Sequence, residues 1–253
     1  MSEITCSPVV DHDSLHATRE LVRATASAGG SARVLGGIAV ALRCPSARDP
    51  ELLARSYSDI DLVTDKKSGP ILSRTLEQLA YAPERRFNAL HGHSRLMFDR
   101  ADGMHVDVFV GEFVMCHRLE LASRLDLHDA TLPLADLLLT KLQVAELNEK
   151  DVTDAAALLL DHDLSADESG INTDYITGIL SRDWGWWRTV SHNLASLPGY
   201  VIKRLPEREA EIVAARVEQL QVVIEQAPKS LRWKARAKAG DRIPWRDDPE
   251  ESH

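Results

Sequence analysis

Ser58-Asp59-Ile60-Asp61-Leu62-Val63 is the segment of this 253-residue chain best suited to chemistry. In a β-strand alternate side chains share a face, so Asp59 and Asp61 point one way while Ile60 and Leu62 point into a core. Two strand steps separate their Cα atoms by about 7 Å. Carboxylates at that separation can converge on divalent ions spaced about 3.5–4 Å apart. Like charges side by side repel, and a cation offsets that cost directly. The competing reading is a pair of solvated strand-end acids.

A third acid, Asp107, interrupts the β-branched run His105-Val106-Asp107-Val108-Phe109-Val110, where aspartate is normally disfavoured. If that strand lies beside the first, three carboxylates share one face, with His105 pointing the same way. Gly36-Gly37 falls between a short strand candidate, Arg33-Val34-Leu35, and a helical stretch beginning at Ile38. Glycines there let the backbone approach a ligand closely, and the N–H groups of a helix N-terminus can grip a phosphate. The chain lacks a G-x-x-x-x-G-K-[ST] run, which excludes a P-loop.

The ordered set of Gly36-Gly37, Asp59-x-Asp61 and a lone Asp107 resembles the DNA polymerase β-like nucleotidyltransferase superfamily. Lys141, followed by Lys150-Asp151 and Asp154, resembles the Lys…Asp element of its AbiEii-type members, some of which are toxins of toxin–antitoxin pairs. The resemblance covers roughly 34–160. It implies an α/β (α+β) mixed sheet with flanking helices, followed by a helical C-terminal domain. It also implies roles. Gly36 and Gly37 would contact a nucleoside triphosphate. Asp59, Asp61 and Asp107 would bind two Mg²⁺ ions, and Asp107 would help deprotonate an acceptor hydroxyl. Lys141 would neutralise phosphate charge, and Asp154 would orient Lys141 or the acceptor. The acceptor would be a tRNA or other RNA end, a small molecule or a protein side chain, with an antitoxin protein as a further expected partner. The other expectation is an inactive relative kept for nucleotide sensing or partner binding.

The elements that must position these groups follow from periodicity. Helical spacing is expected over 14–29 and 71–79. Arg95–Phe98 and Met104–Val110 read as a hairpin turned at Asp102-Gly103. From Leu134 onward the pattern is helical: 134–145, 152–160, 176–180, 184–197 and 207–226, with Asn148-Glu149-Lys150, Pro198-Gly199 and Pro206 as breaks. This divides the chain into a catalytic core over 1–132, a helical domain over 133–228 that completes a cleft with it, and a charged, mobile tail over 229–253.

Composition bounds the rest. The apolar fraction of 44% and charged fraction of 27% are those of an ordinary globular protein. A net charge of −9 disfavours a broad nucleic-acid surface, although the basic run Lys229–Arg242 leaves a local one open. Cys6, Cys44 and Cys116 are too few and too scattered for a disulfide framework. No apolar run spans a bilayer and the N-terminus is not a signal peptide, so the expected location is cytoplasmic. His91, His93, His105 and His117 match no zinc spacing. Trp184, Trp186 and Trp187 could stack on a base, but at this spacing they are expected to pack a core.

Overall fold

The computed structural model describes residues 12–247; Cys6 and the acidic residues Asp248, Glu250 and Glu251 lie outside them. The chain forms two units, one of 12–113 with 120–132 and the other of 114–119 with 133–247.

The first unit contains α1 (His12–Ser27), β1 (Ala32–Leu35), α2 (Gly36–Arg43), β2 (Asp59–Thr64), α3 (Gly69–Gln78), β3 (Ala82–Pro83), α4 (Arg85–His91), β4 (Arg95–Asp99) and β5 (His105–Val110). The strands make one sheet in the order β1-β2-β5-β4-β3. β2 and β5 run parallel, and the other neighbours are antiparallel. The alternation expected for β2 is present: Ile60 and Leu62 are fully buried, as are Val106 and Val108 beside them on β5. Val34, Phe98, Leu72, Leu76 and Leu21 extend this core. Each buried leucine or isoleucine contributes about 1.5–3 kcal/mol relative to exposure. The Asp102-Gly103 turn joins β4 to β5, with Gly103 at φ +90°, a value that glycine reaches without strain.

Two short strands, β6 (Glu112–Val114) and β7 (Arg118–Glu120), lie where the chain leaves the first unit and returns to it. The expected boundary near 132–133 is therefore one of three crossings. The six residues 114–119 group with the second unit, where His117 stacks on Trp186 and bonds Thr189 and the Cys116 carbonyl accepts the Asp247 N–H.

The second unit is helical: α5 (Leu134–Leu142), α6 (Glu149–Asp161), α7 (Thr173–Leu180), α8 (Trp184–Val201), α9 (Glu207–Gln226) and α10 (Leu231–Ala237). A small parallel pair, β8 (Leu164–Ser165) and β9 (Ile171–Asn172), precedes α7. The break expected at Asn148-Glu149-Lys150 is narrower than that. Asn148 is the N-cap of α6, accepting the Asp151 N–H at 2.9 Å, and Glu149 and Lys150 are already helical. Pro198, expected to end α8, lies inside it. Buried Leu194, Leu197 and Val201 on either side hold the helix together across the missing N–H.

The tail is the other correction. It is folded as far as Asp247, because Trp233 meets Trp187 edge-on at 5.1 Å and Trp245 meets Trp184 at 6.0 Å. Trp184 and Trp186 are buried as expected, whereas Trp187 is only half-buried and donates its Nε1–H to Glu225 at 2.9 Å.

Candidate active site on the carboxylate face

Asp61 of β2 is the direct register partner of Asp107 of β5, and Asp59 is opposite His105. Parallel neighbours lie about 4.8 Å apart. Alternation then puts Asp59, Asp61 and Asp107 on one face, away from Ile60, Leu62, Val106 and Val108. The sheet thus brings the three expected acids together.

The diglycine lies beside them because β1 is antiparallel to β2, which sets Leu35 opposite Asp61 and starts α2 at that point. Gly36 has φ +69°, and a Cβ there would lie 1.9 Å from Asp61 Oδ2. A Cβ on Gly37 would lie 2.1 Å from Arg55 Nη2 and 2.8 Å from Tyr57 Cδ1. Arg55 in turn lies over the Tyr57 ring, 4.3 Å from its centroid. The first turn of α2 is therefore flanked by a carboxylate on one side and a guanidinium on the other.

Two arginines complete the face, and sequence reasoning found neither. Arg55 belongs to the loop before β2, and a cation there had no periodicity to mark it. Arg95 lies on β4 and grips Asp107 in a fork: Nε is 2.8 Å from Oδ1 and 3.0 Å from Oδ2, and Nη2 also reaches Oδ2. The hydrogen bonds to Asp107 raise the Arg95 pKa above its ordinary value; burial opposes them, and the charges of Asp107 and Asp61 reinforce them. Phe109 and Phe87 flank the guanidinium, with centroids 5.3 and 5.8 Å away.

His105 is engaged elsewhere, on Asp99 across the β4–β5 ladder. Asp59 is exposed and accepts a hydrogen bond from Ser58 Oγ at 2.8 Å. Among the described residues no three carboxylate, imidazole or thiol groups are gathered closely enough to hold an ion as they stand. Asp107 is turned into the Arg95 fork. The donor set itself fits a hard cation, since Mg²⁺ takes oxygen ligands from one or two carboxylates together with phosphates.

Within the second unit, Lys141 of α5 lies 2.9 Å from Asp154 and 3.5 Å from Asp151, both on α6. The Asp154 side chain is 1% exposed and that of Lys141 12%. At such burial a charge is tolerable only when paired. Cys44 and Cys116 are buried free thiols. Among the described residues no helix is long and apolar enough to cross a membrane.

No protein-family model matches the chain, and no curated protein matches it. Solved structures do. An antigenic nucleotidyltransferase-like protein from Paracoccidioides brasiliensis is similar at 14% identity over 88% of this chain and 97% of its own, with a TM-score of 0.44. JHP933 from Helicobacter pylori is similar at 12% identity over 92% of this chain and all of its own, with a TM-score of 0.39.

Proposed function

We propose that the chain is a Mg²⁺-dependent nucleotidyltransferase that moves a nucleoside monophosphate from a triphosphate to an acceptor hydroxyl. The observation that carries this reading is the Asp61–Asp107 register, which sets three acids on one face beside a glycine turn that a single methyl group would fill.

Asp59, Asp61 and Asp107 are the residues that would hold Mg²⁺. When bound, the ions neutralise the attacking and leaving oxygens of an in-line displacement. Gly36 and Gly37 bring the α2 N–H groups against the triphosphate. Arg55 adds positive charge beside Gly37. The acceptor oxygen forms a bond to the α-phosphorus, the α–β bridging bond breaks, and pyrophosphate leaves. The hydroxyl proton passes to Asp107. The family resemblance would also give Lys141, which Asp154 holds at 2.9 Å within the helical unit, a role in neutralising phosphate charge. The acceptors in this reading are an RNA end, such as that of a tRNA, or a small hydroxylated molecule; as a toxin the protein would also have an antitoxin partner.

The test is incubation with each of the four labelled triphosphates, Mg²⁺ and total RNA or small-molecule acceptors. Label transferred by the native chain and lost in Asp59→Ala and Asp61→Ala supports the reading. Expression that slows bacterial growth would add the toxin role. The Arg95 fork on Asp107 favours a second reading, an inactive relative that senses nucleotide. Triphosphate binding with no product from any acceptor would select it.

A further inference from the structure

The second unit contains a pocket of about 470 Å³ at the N-terminal end of α8, walled by 116–118, 182–186 and parts of 232–247. Its charge is one-sided. Arg118, Arg182, Arg232, Arg236 and Arg246 line it, against the carboxylates of Asp183 and Asp247. Asp183 is already engaged, accepting the Gly185 and Trp186 N–H groups at 2.7 and 3.1 Å, so the helix end itself is satisfied.

Some of the arginines are structural. Arg236 donates to the carbonyls of Gly240 at 2.8 Å and Ile243 at 2.6 Å, and lies over the Trp184 ring at 4.6 Å. Arg246 lies 5.5 Å from the Trp245 centroid. Arg182 and Arg232 differ: both are exposed, and neither guanidinium has an ion pair or hydrogen bond among the described residues. Cations gathered in a concave site repel one another until an anion joins them.

The remaining wall is aromatic: Trp233 and Trp245 are half-buried and face it together with the buried Trp184 and Trp186, the latter already stacked on by His117. Trp233 Nε1 is buried with no hydrogen-bond partner, and an indole N–H can only donate. A buried donor left unmade is costly.

From this combination we infer that the pocket binds a nucleotide phosphate, with Arg182 and Arg232 on the phosphate and the base against the indole wall. Guanidinium forks match phosphate oxygens in pairs. Bases stack on tryptophan whatever their sequence. The volume falls within the range of small-molecule sites. An acidic peptide would use the arginines but leave the indoles idle. The ligand is either a free mononucleotide or the end of a single-stranded RNA, and neither needs the carboxylate face.

Calorimetric titration of the full chain in EDTA, which silences any Mg²⁺ site, tests this. The titrants are AMP, adenosine, inorganic phosphate, a short oligo(A) RNA and a poly-glutamate peptide. AMP is expected to bind, with adenosine about tenfold weaker or worse. Arg182→Ala with Arg232→Ala should weaken AMP by about tenfold, with an unchanged thermal midpoint because both side chains are exposed. Asp61→Ala should leave AMP binding unchanged, which separates this site from the proposed transferase site. Tighter binding of oligo(A) than of AMP identifies a strand end as the ligand, and equal binding a free nucleotide. Absence of AMP binding, AMP binding indifferent to the double substitution, or poly-glutamate bound as well as AMP would overturn the inference.

Discussion

At Gly36 two constraints coincide, a φ of +69° and a missing Cβ that would fall 1.9 Å from Asp61 Oδ2. Gly36→Ala should therefore cost about 1–3 kcal/mol from backbone strain alone, read as a lower thermal midpoint. It should also displace the Asp61 carboxylate and abolish label transfer under the proposed function. Arg95 presents the opposite case, a side chain whose removal leaves a need unmet. Arg95→Met strands Asp107, whose side chain is 15% exposed. Because the pair is only partly buried, the expected loss is about 1–3 kcal/mol, the cost of leaving such a polar group unpaired. Added Mg²⁺ should restore much of the thermal midpoint in Arg95→Met and shift the native protein far less. A variant indifferent to Mg²⁺ would count against Asp107 as an ion ligand.

Among the elements, α6 depends on a small contact for its start. Asn148 accepts the Asp151 N–H at 2.9 Å, and Glu149 and Asp151 place negative charge in the first turn. Asn148→Ala should cost about 1 kcal/mol. Because Asp151 and Asp154 on this helix hold Lys141, fraying there should reach the lysine before the rest of the unit, as faster amide exchange at Asp151 and Val152. The helix was legible in the residues because 152–160 carries a clear apolar period. So were β2, from its apolar-acid alternation, and the β4–β5 hairpin, from Asp102-Gly103. The elements without a local signal are either too short or set by register. α4 buries none of its seven residues and so presents no apolar stripe. β3 has two residues, below any period. The candidate site divides the same way. The acids and glycines stand out by type and spacing, whereas Arg95 meets Asp107 only because β4 pairs antiparallel with β5, which no local pattern states. Pro198 misled for a related reason: its intrinsic preference is to stop a helix, and tertiary packing overrode it.

For the molecule as a whole, one buried imidazole links stability to acidity. His117 stacks on Trp186 at 4.9 Å, and its Nε2 is 2.9 Å from Thr189 Oγ1. Burial pushes its pKa down from 6.5 to about 4, against the partly opposing charges of Asp183 and Asp247. The folded protein thus resists the proton that the unfolded chain accepts. The stabilisation is complete above pH 6.5 and is lost progressively as the pH falls toward 4. It amounts to at most about 3 kcal/mol. Denaturant midpoints measured across that window should fall more steeply for the native chain than for His117→Gln, and equal slopes would contradict the assignment. Since 114–119 belongs with 133–247, a fragment ending at 132 carries His117 away from Thr189 and from Gln143, whose side-chain oxygen accepts the His117 N–H at 3.2 Å.

All five tryptophans, at 184, 186, 187, 233 and 245, belong to the helical unit, and the sheet unit has none. Indole emission during heating accordingly watches the helices alone, whereas far-ultraviolet dichroism sums both halves. A sheet that loosens first would pass unseen by fluorescence, and the gap between the two melting curves measures how independently the halves come apart.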